Sequence, residues 1–590
     1  MRVLFFHPEK YLNFGIPAGI SILSAVIKQH GHEVDLFDTT FLKCADDHKL
    51  DGHDAAQNVT AGDDLVLENI DEFDESEEEV LGKQCRGLFK ETAYSIHDLV
   101  KDDPVVVPEV EFQKKIDEFK PDIIALSTMT TTFDHAVGLL RKVKHNAKVI
   151  VGGVHPTIAT GDCLEQEVID IACVGEADET FPELLNLMEA GQDYTGVKSM
   201  HFRLEDGTII HNEVAPRVEL NNLPTPDWGI FDSRHLFRPF DGEIYKGSFY
   251  SQSRGCPMQC TYCVDPTIAE ITGGHKGYFR FQDPEVSYRQ LKELKDKFGA
   301  TWFKFVDDTF LLPNMDHLTR LRDLIKPLGI KFGCSVMPNT IKEEKLQIAV
   351  DMGCVAMSVG IESGNDAIRR TVMRRYKNDE VVEKLQLAQK YGIRVSTFNI
   401  IGFPGESREN VFETIELNRR IGTSAANAYI LYPYPGTPIA IEHKIPLRDK
   451  TGLIPTVDIG PKLGFSEMSE QELLGLRSAF NLYLVLPKSL YPVIEFAEAQ
   501  NDLGGRLLKL LNHLAVATVT GNPMPTDSLR NMLEGKGVRI HSEGNMQLPK
   551  LFKYIFRLPF ETEQLNTIVA ALVETYGEKK RYEKVDKIAV

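Results

Sequence analysis

Three cysteines at short spacing are the residues of this sequence best suited to chemistry. The segment SRGCPMQCTYC (253–263) places Cys256, Cys260 and Cys263 in a C-x3-C-x2-C triplet. Three thiolates from one loop can bind a 4Fe–4S cubane and leave its fourth iron without a protein ligand. A zinc site would need four ligands, normally from two C-x2-C pairs, and the sequence has no second pair. The triplet therefore predicts a 4Fe–4S cluster whose open iron binds a small chelating molecule.

The triplet, with the aromatic Tyr262 just before its third cysteine, strongly resembles the radical S-adenosylmethionine (SAM) superfamily. In that family the amino and carboxylate groups of SAM chelate the open iron. One electron from the cluster then cleaves a sulfur–carbon bond of SAM and yields a 5′-deoxyadenosyl radical. The resemblance implies the same cofactors here, and an electron donor such as flavodoxin or ferredoxin.

Other motifs extend this resemblance. The family has contacts to the SAM amino group where FVDDTF (305–310) stands, but this is not the commoner Gly-Gly-Glu motif, so either aspartate can instead serve the substrate. GIESG (360–364) resembles the family's ribose motif, and NIIGFPGES (399–407) resembles the motif that packs the adenine. The candidate SAM contacts are Tyr262, Asp307, Asp308, Ser335, Glu362 and Asn399.

The triplet opens a repeating strand and helix pattern. Strand-like segments lie at 249–255, 302–308, 331–337, 356–363, 394–402 and 427–436, with helical stretches between them. This pattern predicts a partial (β/α)6 TIM-type barrel over residues 241–445. In such folds the chemistry lies at the carboxyl ends of the strands.

The chain before the barrel also alternates strands and helices. The pattern predicts an α/β, Rossmann-like doubly wound domain over residues 1–185, with an acidic insertion near 45–110. Residues 186–240 read as a linker with a small hairpin at the Asp-Gly turn of 201–212. Residues 446–590 read as a helical C-terminal cap.

A doubly wound domain before a radical SAM barrel resembles the cobalamin-binding subfamily. The segments that carry this likeness are 17–38, GGVHPT (152–157) and VGEADETFPELL (174–185). Glycines after the strands allow a broad corrin to approach the main chain closely. The candidate cobalamin contacts are Ser127, Thr128, Gly152, Gly153, His155, Pro156, Thr157, Gly175 and Glu176. His7 lies in the loop that holds the cobalt-binding histidine of other cobalamin proteins. The D-x-H-x-x-G pattern around that histidine is absent from this sequence. The subfamily resemblance implies a cobalt that has no histidine as its lower ligand.

Methylthiotransferases also place a domain before a radical SAM barrel, but they bind a second cluster there. The cysteines of this region are Cys44, Cys85, Cys163 and Cys173. They make a poor ligand set, because Cys44 lies in a loop, Cys85 follows the acidic insertion and Cys173 lies inside a strand. This alternative is the less favoured one.

Composition narrows the class of protein. The formal net charge of −20 argues against nucleic acid as the main partner. Ten acidic residues and no basic ones lie in 62–80, which reads as a solvated insertion or a docking surface for a basic partner. No apolar run reaches the roughly 18 residues of a transmembrane segment, and the start resembles a strand rather than a signal peptide. We therefore expect a cytoplasmic protein with reduced thiols.

These observations favour a methyltransferase that acts on an unactivated carbon, or on phosphorus, of a small-molecule substrate. One SAM would load cobalamin with a methyl group, and a second would give the radical that removes a hydrogen from the substrate. The substrate radical would then take the methyl group from methylcobalamin. Such a reaction requires the carboxyl ends of both sheets to face each other. A cyclase or ring-rearranging enzyme, and a protein that only binds these cofactors for regulation or delivery, stay open as alternatives.

Overall fold

The computed structural model describes residues 1–9, 15–44, 99–100, 102–240, 243–423, 426–448, 452–453, 466–486, 488, 491–498, 508 and 511. The acidic stretch 62–80, Cys85 and most of the predicted C-terminal cap lie outside these residues.

The first part of the chain forms a twisted sheet with the strand order β2-β1-β3-β4-β5-β6-β7 among the described residues. Its strands are β1 (Arg2–His7), β2 (Glu33–Asp38), β3 (Ile123–Ser127), β4 (Lys148–Gly152), β5 (Ile171–Cys173), β6 (Met200–Arg203) and β7 (Ile209–Ile210). Its helices are α1 (Ala18–Gln29), α2 (Pro108–Phe119), α3 (Thr130–Leu140), α4 (Val154–Ile158), α5 (Thr160–Leu164) and α6 (Thr180–Glu189). The strands β1 to β5 run parallel, as the alternating pattern predicted.

Side chains of β1 alternate between the two faces of this sheet. Val3 and Phe5 pack in a core with α1 and α6, whereas Leu4 and Phe6 pack in a second core with α2 and α3. A strand covered by helices on both sides needs a continuous apolar run, and β1 has one from Val3 to Phe6. The doubly wound prediction is confirmed.

The predicted hairpin does not lie in a separate linker. Its strands β6 and β7 pair with each other, and β6 pairs antiparallel with β5, so the hairpin extends the first sheet. Short 3-10 helices at Leu220–Asn222, Trp228–Ile230 and Ser233–Leu236 then lead to the second sheet.

The second sheet has the strand order β16-β15-β14-β13-β12-β9-β8. Its strands are β8 (Phe237–Phe240), β9 (Glu243–Tyr250), β12 (Trp302–Phe305), β13 (Lys331–Val336), β14 (Cys354–Glu362), β15 (Arg394–Ile401) and β16 (Ala426–Ile430). A short ribbon of β10 (Ser253–Arg254) and β11 (Arg280–Phe281) precedes and follows the cysteine loop. Within this sheet β9 and β12 to β16 are parallel, which confirms the partial barrel, and β8 adds an antiparallel edge.

Helices cover the outside of the barrel. They are α7 (Asp265–Ile271), α8 (Pro284–Phe298), α9 (Met315–Ile325), α10 (Glu343–Met352), α11 (Asp366–Thr371), α12 (Asn378–Lys390), α13 (Arg408–Ile421) and α14 (Pro438–Glu442), with 3-10 turns at Lys326–Leu328 and Pro338–Thr340. Phe303 and Phe305 pack outward in one core with α8 and α9. Trp302 points to the other side of β12 and packs on Phe240 and Ala356. The alternation along β12 therefore separates the helical layer from the barrel interior.

Two helices follow the barrel. Helix α15 (Glu470–Val485) begins with a capping box between Ser469 and Glu472, and α16 (Tyr491–Ala497) comes next. They lie within the predicted helical region, whose remaining part is not described. None of the helices in the described part of the chain combines the length and hydropathy that a membrane crossing requires.

Candidate active site

The three cysteines lie in one loop between β10 and α7. Cys260 is 5% exposed, Cys256 and Cys263 are half-buried, and all three are free thiols. A turn joins them, in which the Cys263 amide donates to the Cys260 carbonyl at 3.1 Å. Burial raises the pKa of Cys256 to about 12 and raises the pKa of the other two thiols. Because thiolates are the metal ligands, metal binding by this loop must release protons.

The loop differs from a site for one metal ion. Ligands of a single zinc ion lie about 2.0–2.3 Å from it and therefore crowd together. Nowhere in the described ranges do three His, Cys, Asp or Glu side chains converge in that way. The thiols of a cubane bind different iron atoms, and three free thiols on one loop suit a 4Fe–4S cluster.

A hydrogen-bond network centred on Arg374 connects the cysteine loop to the barrel. Arg374 donates to the Tyr262 hydroxyl from Nε (3.0 Å) and Nη2 (2.7 Å), and from Nη2 to Glu362 Oε1 (2.9 Å). Glu362 has a left-handed backbone with φ 68°, a costly conformation for a residue with a Cβ. Burial raises the pKa of Glu362, and the Arg374 charge opposes that rise. The network thus ties the loop to the carboxyl end of β14.

Arg374 was not singled out by sequence reasoning. It lies 112 positions after Tyr262, in a stretch of several arginines. Its Nη1 is buried and has no hydrogen-bond partner among the described residues. A donor of this kind, beside the two predicted SAM contacts Tyr262 and Glu362, can bind an anionic group.

The predicted aspartates at the end of β12 occupy two environments. Asp307 is 2% exposed and accepts from the Ser253 hydroxyl and from the Gln252 amide, whereas its Oδ2 has no partner in the described structure. Burial raises the pKa of Asp307 to about 7. Asp308 is accessible to solvent in a recess, where desolvation and the charges of Asp265 and Asp307 raise its pKa to about 7. The unpaired oxygen of Asp307 fits a cationic amino group.

The remaining predicted SAM contacts differ in accessibility. Ser335 is half-buried on β13, and its carbonyl accepts from the Phe310 amide at 2.9 Å. Asn399 is fully buried, accepts from Asn418 Nδ2 at 2.9 Å and donates to the Asn427 carbonyl at 3.1 Å. The side chain of Asn399 therefore has partners within the barrel.

The loop after β4 offers a surface for close approach. Gly153 has φ 110° and ψ −163°, a region open essentially to glycine alone, and a Cβ there would lie 2.6 Å from the Thr128 carbonyl oxygen. Met129 and Val154 beside it are 51% and 39% exposed. Ser127 and Gly152 are half-buried at the same edge. Exposed apolar side chains next to a glycine main chain fit a large flat ligand such as a corrin.

His155, Pro156 and Thr157 lie beneath that surface. The His155 ring is fully buried, with Nδ1 3.2 Å from Thr130 Oγ1 and Nε2 3.3 Å from Asp162 Oδ2. Thr157 donates to the Gly153 carbonyl at 2.8 Å. Both nitrogens of His155 are engaged inside the domain, so its position is that of a support for the loop. Thr128 is likewise buried, and its hydroxyl bonds to Thr132.

Gly175 and Glu176 lie where the two sheets meet. Glu176 accepts from Arg280 and from the Val218 amide (2.8 Å). A Cβ built on Gly175 would lie 3.2 Å from Thr272 Cγ2 of the barrel. These two predicted cobalamin contacts therefore take part in the contact between the sheets.

A second ion pair reinforces this contact. Arg254 donates to both Asp178 carboxylate oxygens, at 2.7 and 2.9 Å, and this pairing raises the Arg254 pKa. Arg254 comes two residues before Cys256, and Asp178 follows β5. The carboxyl edges of both sheets thus face each other, as the predicted reaction required.

The His7 side chain is not a free ligand on this edge. It is half-buried close to Asp38 and His235, and burial lowers its pKa. His235 Nε2 lies 2.7 Å from Asp38 Oδ2, which helps to lower the Asp38 pKa to about 2.

Comparisons with known proteins bear on both domains. Residues 250–417 match the family described as Radical SAM superfamily, and residues 84–185 match the family described as B12 binding domain. An uncharacterised methyltransferase of Pyrococcus horikoshii is 26% identical over 395 residues, which cover 64% of this chain and 82% of the relative. The anaerobic magnesium-protoporphyrin IX monomethyl ester cyclase of Cereibacter sphaeroides is 23% identical over 377 residues, covering 62% of this chain but only 59% of the cyclase.

A solved structure has the same fold. The radical SAM methyltransferase TsrM from Kitasatospora setae, with cobalamin and a [4Fe-4S] cluster bound, superposes with a TM-score of 0.56 at 13% identity. The superposition covers 88% of this chain and 99% of that one.

Proposed function

We propose that this chain, a radical SAM enzyme with a B12-binding domain, methylates an unactivated carbon or phosphorus atom of a small molecule. When bound, the 4Fe–4S cluster, SAM and cobalamin supply radical chemistry and a transferable methyl group. The chain's own residues bind these groups, orient them and exclude water between them.

Cys256, Cys260 and Cys263 would hold the cluster, since they are free thiols on a single loop. The unpaired Asp307 oxygen would accept from the amino group of SAM, and Glu362 would accept from the ribose hydroxyls. In this arrangement the Arg374 charge opposes the rise that burial causes in the Glu362 pKa, and its hydrogen bonds keep Tyr262 in place. Asp308 and Ser335 complete the proposed SAM contacts, and Asn399, which is bonded within the barrel, would support them from the interior.

The cobalamin would lie on the edge formed by β3 and β4. Gly152 and Gly153 allow the corrin to approach the main chain, while Ser127 supplies a half-buried hydroxyl. The buried side chains of Thr128, His155, Pro156 and Thr157 would shape this surface from beneath. Gly175 and Glu176 would close it toward the barrel.

One observation carries the proposal: the cysteine loop and the first sheet's carboxyl edge are joined directly. The bidentate pair between Arg254 and Asp178 connects the segment before Cys256 to the segment after β5. A ligand on each edge would therefore face a shared space, as transfer of a methyl group between cofactors and substrate requires.

The experiment uses the full chain reconstituted with iron, sulfide and hydroxocobalamin, then reduced with titanium(III) citrate. With methyl-labelled SAM, we expect label in the cobalamin and S-adenosylhomocysteine in equal amount. The variant in which all three triplet cysteines are replaced by Ala should form no 5′-deoxyadenosine. A wild-type protein that forms 5′-deoxyadenosine but never labels cobalamin would contradict methyl transfer.

A cyclase is the second candidate, and the similarity to the magnesium-protoporphyrin cyclase favours it. Small-molecule extract of the host supplies the substrate for the discriminating assay. Equal amounts of S-adenosylhomocysteine and 5′-deoxyadenosine indicate methylation, whereas 5′-deoxyadenosine alone indicates cyclisation or rearrangement.

The proposal also includes a reducing environment. Every cysteine in the described part of the chain is a free thiol. A cytoplasmic location with flavodoxin or ferredoxin as electron donor suits such a protein.

A further inference from the structure

The chain after the last barrel strand contacts both halves of the proposed site. We name residues 431–448 the bridging segment. The Ile439 amide donates to the Thr261 carbonyl at 2.9 Å, and Thr261 lies inside the cysteine triplet. Thr267, on the helix after the cysteine loop, donates its hydroxyl to the Gly436 carbonyl. The bridging segment is therefore bonded to the cysteine loop and to the helix that follows it.

The same segment packs against the first domain. Gly436 has φ 79°, and a Cβ at this position would lie 2.9 Å from the Ile158 Cβ. Ile158 ends α4, the helix that starts directly after Gly153. A side chain at position 436 would force the two main chains apart, so Gly436 sets their distance.

Arg448 makes a bidentate contact with the first domain. Its Nε and Nη2 donate to the two Asp162 oxygens at 2.6 and 2.9 Å, and Nη1 donates to Asp134 at 3.2 Å. The Asp162 side chain is 2% exposed, and its Oδ2 also lies 3.3 Å from His155 Nε2. A bidentate pair to a buried carboxylate fixes both position and orientation. Movement of Arg448 would therefore be transmitted through Asp162 to His155.

We propose that Arg448 is a positioning residue that, with Gly436, holds the loop 153–157 at a defined distance from the cysteine loop. Arg448 acts through Asp162 and His155. The inference rests on the proposed function, because it takes the two loops to carry cobalamin and the cluster.

The test measures the magnetic dipolar coupling between cob(II)alamin and the reduced cluster by EPR in the reconstituted full chain. We expect one well-defined coupling in the wild type and a broad distribution in Arg448→Met. Arg448→Lys keeps the charge but loses the bidentate geometry, and should give an intermediate distribution. Asp134→Asn is the matched control, because the Asp134 side chain is 32% exposed and its contact with Arg448, at 3.2 Å, is longer than those of Asp162.

A second readout separates positioning from folding. Transfer of the methyl group from SAM to reduced cobalamin should fall on the order of 100-fold in Arg448→Met, since a misplacement of 1 Å can cost that much. The dissociation constant for hydroxocobalamin should stay within about threefold, because the loop 153–157 keeps its internal hydrogen bond from Thr157 to the Gly153 carbonyl and would move as a unit. An unchanged EPR coupling, or loss of cobalamin binding in Arg448→Met, would overturn the inference.

Gly436→Ala keeps the test decisive if Arg448→Met does not fold. It acts through Ile158 rather than through the ion pair, and it should also broaden the coupling. A wild-type protein that shows one defined EPR coupling but no methyl transfer would contradict the proposed function without contradicting the positioning role of Arg448.

Discussion

Replacement of Arg374 by Met should destabilise the barrel far more than loss of a neighbouring arginine. The Arg374 and Glu362 side chains are 10% and 6% exposed, so the substitution leaves a buried carboxylate without its partner. Breaking a buried pair in this way costs about 3–5 kcal/mol. Arg370→Met is the matched control, since Arg370 is 70% exposed and pairs with the half-exposed Asp366. An exposed pair contributes about 0–1 kcal/mol.

The destabilisation should depend on pH. Burial already raises the Glu362 pKa, and loss of the opposing Arg374 charge raises it further. A carboxyl whose pKa is higher in the folded state binds more protons there, so its folded form loses stability as the pH rises through that pKa. The cost of Arg374→Met should therefore be smaller at pH 5 than at pH 8.

Tryptophan fluorescence during urea unfolding of the cluster-free protein measures this effect. The chain has two tryptophans, Trp228 and Trp302, and both pack on the barrel. The double variant with Glu362→Gln should show a coupling energy of about 1–3 kcal/mol. SAM binding to the reconstituted single variant should weaken about tenfold or more, the equivalent of one lost charge-assisted hydrogen bond. A destabilisation equal to that of Arg370→Met, with the same value at pH 5 and pH 8, would refute the reasoning.

Two further substitutions test the two edges of the site. Gly153→Ala should weaken hydroxocobalamin binding more than tenfold, because its Cβ would lie 2.6 Å from the Thr128 carbonyl in a glycine-only conformation. Gly138→Ala is the control within helix α3: its Cβ would meet nothing within 4 Å, so binding should stay within about threefold. Equal binding by the two variants, measured by equilibrium dialysis, would count against the proposed surface. Asp307→Asn should reduce the loss of stability between pH 5 and pH 8, since the raised Asp307 pKa of about 7 makes the folded protein lose stability as the carboxyl ionises. Asp308, with its pKa also near 7, should keep part of that dependence in the variant, and a pH profile identical to the wild type would contradict this assignment.

Local patterns in the sequence predicted both sheets and the chemistry of the cysteine loop. The apolar run of β1 and the repeated strands of the barrel depend on neighbouring residues alone, because a strand covered on both faces needs a continuous apolar run. The cysteine triplet is also local, since its three thiols come from one loop. The hairpin strands β6 and β7 were recognised as well, but their pairing with β5 depends on a partner that no local pattern names.

The supporting charges of the site could not be found in this way. Arg254 and Asp178 are 76 positions apart, and Arg448 and Asp162 are 286 apart. In the sequence each is an ordinary charged residue, and only burial makes such a pair strong enough to fix geometry. His155 shows the opposite case: it was interpreted as a cobalamin contact, and the fold encloses it between Thr130 and Asp162.

The sequence by itself therefore determined that this protein has a 4Fe–4S triplet loop at the start of one α/β unit and a glycine-rich edge on another. These features are set by the spacing and periodicity of residues close together in the chain, and such patterns can be read without knowledge of the tertiary fold. Only the tertiary structure decided that the two edges face each other, that Arg254 and Arg448 pair with carboxylates of the first domain, and that Arg374 ties the cysteine loop to β14. Such contacts join segments distant in the chain, and their strength comes from the burial that folding creates.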